Sequence, residues 1–266
     1  MPLTSDDDIC ALLANARTIA MPATPAWPPR SLTRLYVETP LSAGVQVELD
    51  AAQANYLGNV MRLKEGDQLL LFDGMSGEWL AEVVEAGRKR MRLIVGEPTK
   101  AQEAVPDLWL AFAPLKKGRV DWLVEKAVEL GVARLQPVVT HRTIVDKLNL
   151  DRMRAHIIEA AEQCGRTALA DIDEPVRLEA FLKARDPERA IYFADESGGP
   201  PATTSITFGP AIILVGPEGG FTPEEASMIR AAPNSFAISL GPRILRAETA
   251  ALAAIAAWMG RAGDWR

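Results

Sequence analysis

Two short loops contain most of the side chains in this sequence that could bind a ligand or stabilise a reacting group. The first loop, Gly216–Gly220, reads GPEGG, and the second loop, Gly241–Arg246, reads GPRILR. Glycines let a ligand approach the backbone closely, although two tight strand-to-helix turns would explain them as well. Charged side chains beside an apolar strand are costly unless they are paired or used. We therefore interpret Arg246 as a functional group, whereas Glu248 also suits the start of a helix.

Other common kinds of active site are missing from the sequence. It has no GxxxxGK[ST] phosphate loop, no GxGxxG dinucleotide fingerprint and no GxSxG nucleophile elbow. Two cysteines and two histidines do not make a metal site, so we predict that the chain binds no metal. Cys164 is predicted to be a buried helical residue rather than a nucleophile. His141 and His156 are interpreted as structural residues.

Alternating strands and helices in residues 99–266 must position the two loops. This alternation predicts an α/β domain with a parallel sheet, and ligands of such sheets lie outside the carboxyl ends of the strands. Both loops follow predicted strands, so we expect both at that edge. The predicted helices run over 117–130, 150–164 and 178–184, and the predicted strands include 190–194, 212–215 and 236–240.

Residues 30–98 have the pattern of a small β-domain with one helix. Short candidate strands are separated by turn residues, and a helix is predicted over about 51–62. The expected fold is a small barrel, which binds nucleic acids in some proteins and serves other functions in many more. The dense basic cluster Arg88–Arg92 is either an RNA-binding surface or a solvated hairpin turn. Residues 98–106 are predicted to be the interdomain linker.

Composition and charge bear on whether the protein binds nucleic acid and on the compartment in which it is expected. The 266 residues have a formal net charge of −6, and each of the segments 1–29, 30–98 and 99–266 has a net charge of −2. An RNA-binding surface would therefore have to be local. Residues 1–29 are predicted to form an irregular extension without the pattern of a secretory signal. Because the two cysteines do not make a disulfide framework, we expect a reduced, cytoplasmic protein. No apolar run reaches the roughly 18 residues that a membrane span needs.

The motifs LVGPEGGFT and LGPRILRAET resemble the paired C-terminal motifs of the SPOUT methyltransferases. The similarity is greatest to the bacterial 16S rRNA (uracil-N3)-methyltransferase family, which the stretches EKAVELGV, EQCGR and LFDG also fit. The resemblance covers roughly residues 31–264. It implies a PUA-like β-barrel followed by a SPOUT-type α/β domain with a trefoil knot. It also implies a homodimer that binds S-adenosylmethionine and methylates 16S rRNA, within the small ribosomal subunit.

The resemblance also assigns roles to individual residues. Arg246 and Glu248 fall at the reactive edge, where an arginine would stabilise negative charge developing on the uracil ring. The implied cofactor-binding residues are Leu214, Val215, Gly216, Glu218, Gly219, Gly220, Leu240, Gly241, Ile244, Leu245 and Thr249. Arg166 joins Arg88, Lys89, Arg90 and Arg92 as candidate RNA-binding residues, with Lys116, Lys117 and Arg119 next.

Three questions stay open at the level of the sequence. A ribose 2′-O-methyltransferase of the same superfamily would use the same cofactor. A non-catalytic RNA-binding protein would instead use the barrel and the basic cluster. For a base methyltransferase, the acceptor of the uridine N3 proton is either Glu248 or water.

Overall fold

The computed structural model describes residues 32–87, 90–145, 147–195 and 197–265. The predicted extension at residues 1–29 lies outside the described residues, as do Arg88 and Lys89 of the basic cluster. Within the described residues, no helix is long and apolar enough to cross a membrane.

The first half of the described chain forms a five-stranded mixed sheet in the order β1-β3-β4-β5-β2. Strands β1 and β3 pair in parallel, and the other pairs are antiparallel. Alternate side chains point into one apolar core, in which Leu69, Leu71 and Leu93 are fully buried. The strands are β1 (Arg34–Tyr36), β2 (Gln46–Leu49), β3 (Gln68–Phe72), β4 (Glu78–Ala86) and β5 (Met91–Lys100).

The helix predicted over 51–62 is shorter than expected. Helix α1 (Ala51–Asn55) is capped by Asp50, whose side chain accepts from the Gln53 amide at 2.7 Å, and a π-helical turn follows over Tyr56–Val60. The backbone then leaves the helical region at Arg62, which has a φ of 61°. The predicted linker also starts later than expected, because β5 continues through Pro98 to Lys100.

The second half forms a sheet in the order β12-β10-β11-β6-β7-β8, with β9 paired to the end of β7. All of its pairings are parallel, which confirms the prediction of an α/β fold with a parallel sheet. The strands are β6 (Leu108–Phe112), β7 (Arg134–Val139), β8 (Asp171–Ile172), β9 (Val176–Arg177), β10 (Ala190–Ala194), β11 (Ala211–Val215) and β12 (Ser235–Ile238).

Helices cover both faces of the parallel sheet. Helices α2, α3 and α7 bury apolar side chains on one face, and α4 and α6 bury theirs on the other. The prediction for α3 is confirmed: Asn149 caps its start, and Gly165 ends it with a φ of 83°. The helices are α2 (Lys117–Glu129), α3 (Leu150–Cys164), α4 (Leu178–Ala184), α5 (Ala202–Ser205), α6 (Pro223–Ala231) and α7 (Ala247–Arg261).

Arg34 joins the mixed sheet to the end of helix α3. Its Nη1 donates to the carbonyl oxygens of Ala161 at 2.6 Å and Glu162 at 2.9 Å, and its Nη2 donates to that of Arg166 at 2.8 Å. Its Nε donates to Glu78 at 2.6 Å, and 10% of its side chain is exposed. A cation at a helix C-terminus satisfies carbonyls that have no partner within the helix.

Candidate active site

A cavity of about 940 Å³ opens beside the carboxyl ends of strands β10, β11 and β12. Its volume lies within the roughly 300–1,000 Å³ of typical small-molecule sites. Apolar side chains form part of its wall, including Val215, Ile238, Leu240 and Leu245. Three loops converge on the cavity, one after each of these strands, which is the edge predicted from the sequence.

The first Gly-Pro loop is held from two sides. A Cβ on Gly216 would lie 3.2 Å from the ring of Phe221, so the ring packs directly against the backbone there. Arg142, in the turn after β7, donates to the carbonyl oxygens of Gly219 and Phe221. These contacts set the shape of the loop before any ligand binds.

A buried carboxylate fixes the start of helix α6 beside this loop. Thr222 and Glu225 form a capping box, in which the Thr222 hydroxyl accepts from the Glu225 amide at 3.2 Å. The Glu225 carboxylate accepts from the Thr222 amide at 2.9 Å and from the His141 amide at 2.8 Å. Glu225 therefore ties the turn after β7 to the first loop.

The second Gly-Pro loop has an unusual backbone and an exposed tip. Gly241 has a φ of 107°, which L-residues with side chains rarely adopt, and its amide donates to the Ser239 hydroxyl at 3.3 Å. Ile244, at the tip, is 93% exposed, which is extreme for a large apolar side chain. Arg243 and Arg246 stand on either side of Ile244 and Leu245, and both arginines line the cavity.

The structure brings most of the predicted cofactor-binding residues together. Those that line the cavity are Val215, Gly216, Glu218, Gly220, Leu240, Gly241, Ile244 and Leu245. Leu214, Gly219 and Thr249 do not line it. Leu214 is fully buried in the sheet core, Gly219 packs against the Arg142 side chain, and Thr249 lies on the exposed side of α7.

The two predicted catalytic residues are separated. Arg246 lines the cavity, but Glu248 does not, and only 8% of Glu248 is exposed. One Glu248 oxygen lies 3.7 Å from Arg119 Nε on helix α2, and the other is buried without a hydrogen-bond partner among the described residues. The assignment of Glu248 to the reactive edge is therefore corrected. Its carboxylate lies at the contact between α2 and α7.

Arg119 connects the first loop to helix α7. Its Nη1 lies 3.4 Å from the Glu218 carboxylate, and its Nε faces Glu248. About 36% of the Arg119 side chain is exposed, so each pair is partly screened by solvent. The sequence suggested Arg119 only as a secondary RNA contact, whereas the structure places it in the cavity wall.

Asp195, which follows β10, was missed by the sequence predictions. Desolvation raises the pKa of this carboxyl, but hydrogen bonds from Ser197 and Arg230 outweigh it, and the pKa is lowered overall. Arg230 pairs with Asp195 and also lines the cavity, as does Arg142. The strand-edge rule that located the Gly-Pro loops would have found Asp195 and Arg142, because each closely follows a parallel strand.

The basic residues of the predicted cluster are either paired with a carboxylate or lie outside the described residues. Arg90 is exposed and Arg92 is half-buried, and each forms an ion pair, with Glu48 at 2.8 Å and Glu85 at 2.5 Å. Arg88 and Lys89 lie outside the described residues.

The assignment of Arg166 to RNA is corrected, because only 7% of its side chain is exposed. Its guanidinium donates to Glu103 and to the carbonyl oxygens of Val128 and Val132. Cys164 was predicted to be buried, but it is exposed near the end of α3. No group of three or more potential metal ligands occurs within the described ranges.

Comparisons with known proteins give a consistent result. The family model of an RNA methyltransferase domain matches residues 102–259, and that of an RNA methyltransferase PUA domain matches residues 49–96. Ribosomal RNA small subunit methyltransferase E from Rickettsia conorii is 31% identical over 229 residues, which cover 84% of this chain and 93% of that protein. The protein of the same name from Synechocystis is 32% identical over 219 residues, covering 79% and 71%.

Two solved structures are similar over most of both chains. One is a ribosomal RNA small subunit methyltransferase E from Neisseria gonorrhoeae bound to S-adenosylmethionine, with a TM-score of 0.80 and 29% identity, covering 86% of this chain and 97% of that chain. The other is a putative methyltransferase from Legionella pneumophila in complex with the same cofactor, with a TM-score of 0.79, 27% identity and the same coverage.

Proposed function

The chain belongs to the ribosomal RNA small subunit methyltransferase E family, and on that premise we propose that it methylates N3 of a specific uridine in 16S rRNA. It is an S-adenosylmethionine-dependent RNA methyltransferase. The observation that carries the proposal is the cavity between the two Gly-Pro loops, with Arg246 on its wall.

The cavity suits S-adenosylmethionine in size and in the chemistry of its walls. Val215, Ile238, Leu240 and Leu245 offer apolar surface for an adenine ring, and the backbone at Gly241 can approach it closely. When bound, the cofactor supplies a methyl group that is already electrophilic, so no enzyme nucleophile is required. The cofactor-binding residues that we propose are Val215, Gly216, Glu218, Gly220, Leu240, Gly241, Ile244 and Leu245.

Arg246 is the proposed catalytic residue. Uridine N3 is a neutral imide nitrogen, so methylation requires loss of its proton, and negative charge develops on the two neighbouring carbonyl oxygens. Arg246 donates to O2 or O4 and stabilises that charge, an effect worth about 10²–10³ in rate for comparable donors. Because Glu248 faces helix α2 and not the cavity, water is favoured over Glu248 as the acceptor of the N3 proton.

We further propose that the chain acts as a homodimer, with a trefoil knot in the α/β domain and a PUA-like barrel at residues 30–98. The exposed Ile244 at the cavity rim supports the dimer, because a second copy would cover this apolar side chain. The substrate is 16S rRNA within the small ribosomal subunit, which makes the cytoplasm the expected compartment. Light scattering of the purified protein tests the dimer.

The experiment uses small ribosomal particles that lack the modification. The chain is expected to transfer labelled methyl from S-adenosylmethionine to these particles, and nucleoside digestion should yield 3-methyluridine. A 2′-O-methylated nucleoside would instead identify a ribose methyltransferase. Naked 16S rRNA in a parallel reaction separates free RNA from the assembled subunit as the substrate.

Arg246→Ala tests the proposed catalytic role. We expect cofactor affinity close to that of the wild type by calorimetry and a kcat lower by about 10²–10³. Arg246→Lys keeps the charge without the planar fork and should recover only part of the rate. Full activity of the alanine variant would remove Arg246 from the mechanism.

A further inference from the structure

The wall of the cavity is cationic in a chain that is acidic overall. Its charged side chains are five arginines and two carboxylates, whereas the whole chain has a formal net charge of −6. Such a concentration of positive charge attracts an anionic partner and raises its local concentration.

Three of the five arginines already have partners. Arg142 donates to two carbonyl oxygens of the first loop, Arg230 pairs with Asp195, and Arg119 lies between two glutamates. Arg243 and Arg246 differ from them, because neither side chain has a hydrogen bond or an ion pair with any residue that the structure describes. These two cations are available to a ligand.

The cofactor does not account for both free arginines. S-adenosylmethionine has one carboxylate, one ammonium group and one sulfonium, so it is itself a net cation, and a single arginine in a bidentate pair already uses both oxygens of its one carboxylate. The proposed function gives Arg246 to the base. An RNA strand also brings a phosphate beside every base, and arginine binds phosphate oxygens in a bidentate manner.

We propose that Arg243 is a substrate-positioning residue that binds a backbone phosphate next to the target nucleotide. This inference rests on the proposed function. Arg243 and Arg246 are three residues apart, so their backbones lie at most about 10 Å from each other, and base and phosphate of one strand segment are within joint reach. Gly241, with its φ of 107°, turns the loop so that Arg243 stands at the exposed rim.

The basic cluster of the mixed sheet is the weaker site for such a contact. Its described members Arg90 and Arg92 are each paired with a glutamate on a neighbouring strand. A phosphate would have to compete with those carboxylates. At Arg243 there is no such competition among the described residues.

The test measures binding to RNA separately from turnover. Affinity for unmodified small ribosomal particles is measured by filter binding over a series of salt concentrations, with S-adenosylhomocysteine present so that no methyl transfer occurs. The variants are Arg243→Ala and Arg243→Lys, and Arg154→Ala is a matched control, since Arg154 is an exposed arginine that does not line the cavity. Calorimetry gives the cofactor affinity of each variant.

We expect Arg243→Ala to bind the particles about tenfold more weakly, and its slope of log affinity against log salt should be smaller by about 0.7–0.9, the loss of one phosphate contact. Arg243→Lys should keep most of the slope. The control should match the wild type, and the affinity for cofactor should stay within about twofold.

Three results would overturn the proposal. An unchanged salt slope with weaker cofactor binding would make Arg243 a ligand of the cofactor carboxylate. A change in oligomeric state by light scattering would make it a dimer contact. Unchanged RNA binding would leave it without a role in positioning. Failure of the proposed function has a different signature, namely a wild-type protein that makes no 3-methyluridine, and the binding assay still decides the role of Arg243.

Discussion

Arg34→Ala should be among the most destabilising single substitutions in this fold. The guanidinium makes four hydrogen bonds, three to backbone carbonyls around the end of helix α3 and one to the Glu78 carboxylate. It also lies over the Phe72 ring, 4.6 Å from the centroid. Alanine would remove all of these contacts and leave Glu78 without its cation in a site where only 11% of its side chain is exposed.

The size of the effect follows from this geometry. Hydrogen bonds to charged groups are worth about 1.5–3 kcal/mol each, but they are not additive, and water entering the site replaces part of the loss. Removing one partner of a buried ion pair typically costs about 3–5 kcal/mol, and we expect a loss of stability in that range. With about 2–4 °C for each kcal/mol in a chain of this size, Tm should fall by about 6–20 °C.

The assay is urea unfolding followed by far-UV circular dichroism, together with a thermal scan. The stability of Arg34→Lys should lie between those of the wild type and the alanine variant. An ammonium keeps the positive charge, but it lacks the forked guanidinium that reaches several carbonyl oxygens at once. Arg154→Ala is the control, because its ion pair with Asp151 is exposed and should contribute less than about 1 kcal/mol. If Arg34→Ala lowered the free energy of unfolding no more than this control does, the contacts of Arg34 between sheet and helix would not stabilise the fold. That result would refute the reasoning.

Two further substitutions test local conformation and burial. Gly77→Ala should destabilise the fold by more than about 3 kcal/mol, since the φ of Gly77 is 88° and a Cβ would lie 2.3 Å from the Lys100 carbonyl oxygen. Gly118→Ala in α2 meets no neighbour and should stabilise the fold by about 0.5–1 kcal/mol. Equal effects of the two substitutions in urea unfolding would contradict this reasoning. The pKa of Glu162 is raised, first by desolvation, against the lowering effects of the Tyr36 amide and Arg34, so the folded state favours the protonated form. The stability that protonated Glu162 contributes to the folded state is fully present below the ordinary pKa of glutamate. It is lost as the pH rises through the pKa that Glu162 has in the folded state. Glu162→Gln should therefore gain on the wild type as pH rises through that window, and a difference that does not vary with pH would show that burial of this carboxylate has no cost.

Local signals in the sequence were sufficient for several elements. Helix α3 was predicted with its observed bounds, because its capping residues and apolar periodicity agree. The π-helical turn after α1 could not be predicted in this way. Its residues fit an α-helical pattern, whereas the hydrogen bond from the Met61 amide to the Tyr56 carbonyl has the wider spacing of a π-helix.

The site was predictable in its backbone and less so in its charges. Both Gly-Pro loops were located from the strand-edge rule, but the orientation of Glu248 depends on Arg119, which is 129 positions earlier in the chain. Arg166 shows the same problem, since Glu103 and the carbonyls that bury it come from distant segments. Long-range partners decide whether a charged side chain faces a ligand or the protein, and a single sequence does not reveal them.

The position of β6 in the parallel sheet has a consequence for how the chain folds as it is synthesised. Strand β6 lies between β7, which follows it closely, and β11, which begins roughly 100 residues later in the sequence. At about 5–20 residues per second, one edge of β6 waits about 5–20 s for its partner strand. The mixed sheet, whose pairings all lie within Arg34–Lys100, can form first. We therefore expect nascent chains that stop before β11 to expose an unpaired apolar edge and to depend on chaperones.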